Sequence, residues 1–200
     1  MGGESARPRA EYDGLFALYR DLDAACAALR SASVIACLPG CGACCETPAR
    51  EIEATVAEML PLAEDLCARG MAEGFLDRAV EAGEDAVCIL YERNPGVRPA
   101  AGACTAYALR PLICRLFGSA GVRDKHGGVR FSPCQHLKRS DPARAVALLA
   151  AIGPVLDVPV FADWRMRLAA IDPAYLGPRY PINLALALAL DRTLRAYEAE

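Results

Sequence analysis

The sequence predicts a mainly α fold: a single compact helical domain over residues 1–200, with a cysteine-rich loop region and at most one small β-hairpin. Three observations carry this. Apolar residues recur at helical spacing in several separate stretches. Thiols crowd into CLPGCGACC, residues 37–45, where Pro and Gly break that spacing. Hydrophobic content of 54% with 24% charged residues describes a chain able to bury a core.

The elements follow in order. Between Glu11 and Leu29 the stripe Leu15, Leu18, Tyr19, Leu22, Cys26 and Leu29 predicts a helix, with Cys26 as a small buried hydrophobe. SASVIACLPGCGACCETP reads as a loop that bends tightly at Pro39, Gly40 and Gly42. Thr47 is then expected to cap a helix over 49–69, with Pro48 at its first position. Its stripe is Ile52, Val56, Met59, Ala63 and Leu66; Cys67 lies beside it, and Pro61 should kink or split it. A short helix over 72–82 ends near Gly83. GVRDKHGGVRF suggests the hairpin, turning at Gly127-Gly128. Asp141 and Pro142 open a helix over 143–152. Another, over 160–170, should bury Phe161, Trp164, Leu168 and Ile171. DPAYLGPRYP is a connector. INLALALAL alternates like a strand, yet Leu and Ala favour helix and the run continues into DRTLRAYEAE, so 182–198 reads as helix. The chain thus divides into a cysteine region, 37–134, and a helical part, 141–199.

A net charge of −3 argues against a general grip on nucleic acid or anionic membranes. MGGESARPRAEYDG contains no apolar run of the secretory type, and the run from Ile182 meets Asp191 well short of the roughly 20 residues a bilayer needs. The expected location is the cytoplasm, where thiols stay reduced. Ten cysteines in 200 residues fall below the density of disulfide scaffolds, above roughly 8%. Clustered thiols in a reducing compartment point to metal or catalysis.

The spacings are specific. Cys37, Cys41, Cys44 and Cys45 form C-x3-C-x2-C-C. Cys41 and Cys44 can place both sulfurs on one ion, and the wider bite from Cys37 suits a larger object such as a cubane cluster. Adjacent side chains diverge, so Cys45 is expected to serve a second site, bridge, or stay free. Cys88, Cys104, Cys114 and Cys134 bring the set to eight, enough for one four-thiolate site or two. Downstream, CTAYALRPLICRLFG contains C-x2-Y-x2-R-P-x2-C-R-x-F, from Cys104 to Phe117.

These two motifs together resemble the YkgJ-type cysteine-cluster family of zinc- or iron-chelating domains. The resemblance covers Cys37–Cys45 and Cys88–Phe117, with Cys134 as a late cysteine. It implies bound metal or an iron–sulfur cluster on Cys37, Cys41, Cys44, Cys45, Cys88, Cys104 and Cys114. A similar cysteine region occurs in flagellin-lysine methylases, which leaves an enzymatic role open. The spacer ILYERNPGVRPAAGA after Cys88 is longer than the family's usual gap.

The residue types make physical sense beside the resemblance. Pro111 suits the first turn of a helix, which places Cys114 near helical N–H groups that favour its thiolate. Four thiolates around Zn²⁺ or a [4Fe–4S]²⁺ core leave a net charge of −2 that needs donors nearby. Arg110 and Arg115 flank Cys114 and can supply them; ordinary ion pairs are the alternative. Tyr107 can donate to a sulfur or serve as an aromatic core residue. The x3-then-x2 spacing favours a [4Fe–4S] cluster over Zn²⁺. It is also the cluster spacing of radical S-adenosylmethionine enzymes, but Ala43 stands where those place an aromatic residue, and no strand–helix series is present. His136, two residues after Cys134, can share a metal with it, whereas His126 belongs to the hairpin turn. Three functions remain: a metal-cluster protein with a redox or catalytic task, a zinc-stabilised adaptor module with an unidentified protein partner, or a protein that handles zinc or iron.

Overall fold

The computed structural model describes residues 10–33, 42–82, 85–93, 102–131, 138–139, 142–151 and 157–199. The helices are α1 (Asp13–Ser33), α2 (Val56–Ala68), α3 (Ala72–Glu81), α4 (Leu112–Leu116), α5 (Pro142–Ala151), α6 (Phe161–Ala169) and α7 (Ile182–Glu198). Among the described residues, strands occur only as three short antiparallel pairs. None of the described helices is long and apolar enough to cross a membrane.

Two hydrophobic clusters organise these elements. In the first, α7 lies against α2 and α3 and buries Ile182, Ala185, Leu186, Ala189 and Leu190, while Leu184 and Leu188 face outward. That is the helical period, and it overrides the strand-like alternation of INLALALAL. Each buried Leu contributes about 1.5–3 kcal/mol of transfer free energy. Met59, Leu62 and Leu66 of α2 complete the cluster. In the second, the stripe Leu15, Leu18, Tyr19, Leu22 and Cys26 of α1 meets Leu112 and Leu116 of α4 and Trp164 and Leu168 of α6. Ile171 departs from the expected stripe. It lies beyond the end of α6, where the chain turns at Asp172, and is 40% exposed.

The start of α2 also differs from expectation. Thr47 opens no helix but closes the 3-10 turn over Ala43–Glu46; residues 49–51 form a single 3-10 turn, and Glu53–Thr55 form β1. β1 pairs with β6 (Arg179–Pro181), and Ile182 N–H reaches the Ile52 carbonyl at 2.8 Å. Helix therefore begins only at Val56, where Thr55 and Glu58 form a capping box, each accepting the other's backbone N–H. α2 then runs unsplit through Pro61.

The sequence suggested one hairpin; it is present as β4 (Gly121–Arg123) and β5 (Val129–Phe131). Asp124 closes its turn by accepting from His126 and Gly128 N–H, and Gly127 takes φ +82°. The other two pairs, β1–β6 and β2 (Tyr91–Arg93) with β3 (Gly102–Cys104), were not foreseen. Strands of three residues are too short to carry a legible alternation.

Candidate metal centre

Four separate segments bring cysteines to one place. Cys44 and Cys45 lie in a 3-10 turn over Ala43–Glu46, closed by Cys45 N–H to the Gly42 carbonyl at 2.8 Å. Gly42 packs backbone to backbone on Gly102; a Cβ at Gly42 would overlap the Gly102 carbonyl and the Tyr91 ring. This contact sets the turn against β3, which ends at Cys104.

Cys88 sits in a turn anchored from both sides. Ala49 N–H donates to the Ala86 carbonyl at 2.8 Å. From α7, buried Asn183 accepts Ile89 N–H at 3.0 Å and donates to the Val87 carbonyl at 3.2 Å. The turn leads into β2, whose Tyr91 stands opposite Cys104. Thr105 N–H and its hydroxyl both donate to the Leu90 carbonyl, at 2.8 and 3.1 Å. Cys114 is on α4, which is tied to α2 because Leu112 N–H donates to Glu58 Oε1 at 2.9 Å.

Cys44, Cys45, Cys88, Cys104 and Cys114 line a single small cavity of about 30 Å³, closed by apolar side chains including Ile52, Leu62, Leu90 and Ile182. All seven described cysteines are free thiols. Cys26 lies in the α1 cluster and Cys67 packs on the α2 side, both away from the cavity, as the sequence suggested. Cys37, Cys41, Cys134 and His136 lie outside the described residues. Among the described residues, no group of three or more His, Cys, Asp or Glu side chains stands in a geometry that could hold a metal ion by itself.

The backbone is nevertheless arranged for thiolates. Leu90 N–H is directed at the Cys88 sulfur and Ala106 N–H at the Cys104 sulfur, two residues on in each case. Cys44 sulfur receives the Cys45 thiol hydrogen and the backbone N–H groups of Cys44 and Cys45. An N–H donor stabilises a thiolate more than a neutral thiol, because the charged acceptor makes the stronger bond. Cys44 is accordingly held down to about 7, the Cys45 hydrogen bond being the largest cause. Cys45, giving that hydrogen, is pushed up. Burial raises Cys88 to about 11 and raises Cys104 and Cys114. In metal-free protein the raised thiols of Cys45, Cys88, Cys104 and Cys114 are therefore protonated at neutral pH, and a cation is what would draw the protons off.

The three flanking residues divide. Arg110 faces the cavity; its charge favours the thiolates of Cys44, Cys104 and Cys114. Its guanidinium stacks 3.5 Å above the Tyr107 ring, donates to the Tyr107 carbonyl at 2.8 Å and reaches the Cys114 carbonyl at 3.4 Å. Tyr107 lines the cavity under this stack and is 40% exposed, so it is not an aromatic core residue. Arg115 turns the other way. It is buried against α1, pairs with Asp23 at 2.6 Å, lies over the Tyr19 ring, and donates to the carbonyls of Arg110 and Ala108. It shapes the 108–110 loop that carries Arg110. The helical N–H groups expected beside Cys114 are also committed elsewhere: α4 has five residues, its first amide goes to Glu58, and Cys114 N–H goes to the Pro111 carbonyl.

Sequence reasoning missed Asn183 and Glu58. Thr55-x-x-Glu58 is a legible capping-box pattern, and Asn183 is the one polar residue in an apolar run.

A family model described as "CxxCxxCC: Putative zinc- or iron-chelating domain" matches residues 36–137, half of the chain. No curated protein and no solved structure matches.

Proposed function

The chain belongs to this zinc- or iron-chelating family, and from that premise we propose that it holds a metal centre through Cys44, Cys88, Cys104 and Cys114, completed by the Cys37–Cys41 segment. The observation that carries the proposal is the convergence of five sulfurs from four segments on one apolar cavity, with backbone N–H groups aimed at three of them. The donor set fits a soft or borderline cation, since thiolate sulfur selects zinc, iron or an iron–sulfur cluster. Ile52, Leu62, Leu90 and Ile182 give the sulfurs an apolar wall. Arg110 offsets the net negative charge of a four-thiolate centre, and Asn183 and Glu58 fix the two segments that carry Cys88 and Cys114.

The C-x3-C-x2-C spacing favours a [4Fe–4S] cluster, which when bound would supply one-electron chemistry. A second reading, one tetrahedral ion such as Zn²⁺ in a structural role, is favoured by the cavity's size of about 30 Å³ and by the paired turns at Cys88 and Cys104. Anaerobic purification followed by metal and acid-labile sulfide analysis separates the readings. Iron with sulfide and absorption near about 400 nm identifies the cluster. Colourless protein with zinc identifies the single ion. Protein that takes up neither metal ends the proposal.

A further inference from the structure

On the outer side of the Tyr107–Arg110 stack lies a second depression of about 330 Å³, with Phe16 and Arg20 from α1 on one wall and Tyr107, Arg110 and Arg115 on the other. We propose that this depression binds a small planar carboxylate, held between Arg20 and Arg110, with its body against Phe16 and Tyr107.

Three observations point there. Arg115 is committed elsewhere: its guanidinium serves Asp23 and two backbone carbonyls. Asp23, the acid on this wall, is thereby neutralised. Arg20 and Arg110, by contrast, have no carboxylate within ion-pair distance among the described residues. Two guanidinium groups without a described carboxylate partner share one concave face, Arg20 free of the thiols and Arg110 turned also toward them, in a chain of net −3. A guanidinium presents a planar fork that matches a carboxylate in shape and in charge. The volume stands at the low end of the roughly 300–1,000 Å³ of small-molecule sites, which suits one ring with its acid group better than a nucleotide. Arg110 and Tyr107 line both this depression and the cysteine cavity, so the ligand would rest on the wall of the thiolate centre. The inference goes beyond the metal assignment and holds whichever metal is present.

The test is calorimetric titration of sodium benzoate, and separately of inorganic phosphate, into the metal-loaded full chain and its Arg20→Glu variant. Arg20 is exposed on α1, so the variant should fold; its helicity is checked by circular dichroism. The expected result is saturable benzoate binding with one site, weakened roughly tenfold or more in Arg20→Glu at unchanged metal content. No saturation up to about 10 mM, equal affinity in the variant, or phosphate binding tighter than benzoate would overturn it. Metal content measured on the same samples keeps the two claims apart. Benzoate binding to protein that takes up no metal leaves the depression standing and removes the metal assignment; metal without benzoate binding does the reverse.

Discussion

α7 sets five apolar side chains of a 17-residue helix into the first cluster, whereas the sulfurs of the cavity beside it come from three-residue strands, single turns and the five-residue α4. The frame is held by apolar area, which is non-directional and tolerates some repacking. The basin is held by individually placed hydrogen bonds: Asn183 to the Cys88 turn, Glu58 to α4, Thr105 to Leu90. Such bonds fix position more than they add stability, since each contributes only about 1 kcal/mol net. The frame should therefore govern whether the chain folds, and the basin whether it binds.

The hardest test of that division is Cys114→Ser. Bound metal should fall by about a hundredfold or more while far-ultraviolet dichroism of the helices stays unchanged. Loss of the helical signal would mean that frame and basin are one unit. In the frame, Leu186→Ala should cost about 2–5 kcal/mol in urea denaturation, because Leu186 is 1% exposed and its neighbours can collapse only in part. Metal bound per folded molecule should not change. Asn183→Ala sits on the boundary. It leaves two part-buried backbone groups without their partner, so about 1 kcal/mol of stability should be lost, and metal affinity should drop roughly 10–100-fold in a competition assay with a chelator. A stability loss with unchanged affinity would place Asn183 in the frame alone.

The finest distinction lies within the basin of the metal-free protein. Cys44 is depressed from 9.0 to about 7, so the stability it adds is present above pH 9 and lost as pH falls through 7. Cys88 is raised from 9.0 to about 11, so its contribution is complete below pH 9 and lost as pH rises through 11. Alkylation at pH 8, followed by peptide mass spectrometry, should label Cys44 before Cys88. Equal labelling rates would show that the hydrogen bond from Cys45 and the burial of Cys88 do not set reactivity.

The frame was largely legible because helices write their burial into the chain at a fixed period. The stripes of α1 and α2 and the helical state of 182–198 follow from it. Where the period stops, legibility stops as well. The 49–55 stretch read as helix because Ile52 and Val56 happen to be four apart, but its backbone pairs with β6, which lies more than a hundred positions along the chain. Cys44, Cys104 and Cys114 stand in quotable spaced motifs, whereas Cys88 came with them only through the family resemblance, ahead of an unusually long spacer; all four line the one cavity. Which arginine faces the sulfurs could not be read. Arg110 and Arg115 flank Cys114 alike in sequence, and only the stack on Tyr107 and the pairing with Asp23 separate them.

The clasp from Asn183 spans 94 positions of the chain. As the polypeptide is made, the turn carrying Cys88 leaves the ribosome long before the residue that latches it. Until α7 docks, the turn carrying Cys88 is without the two hydrogen bonds of Asn183. The Cys88 turn thus takes its final form only with the docking of α7, well after its own thiol has been made.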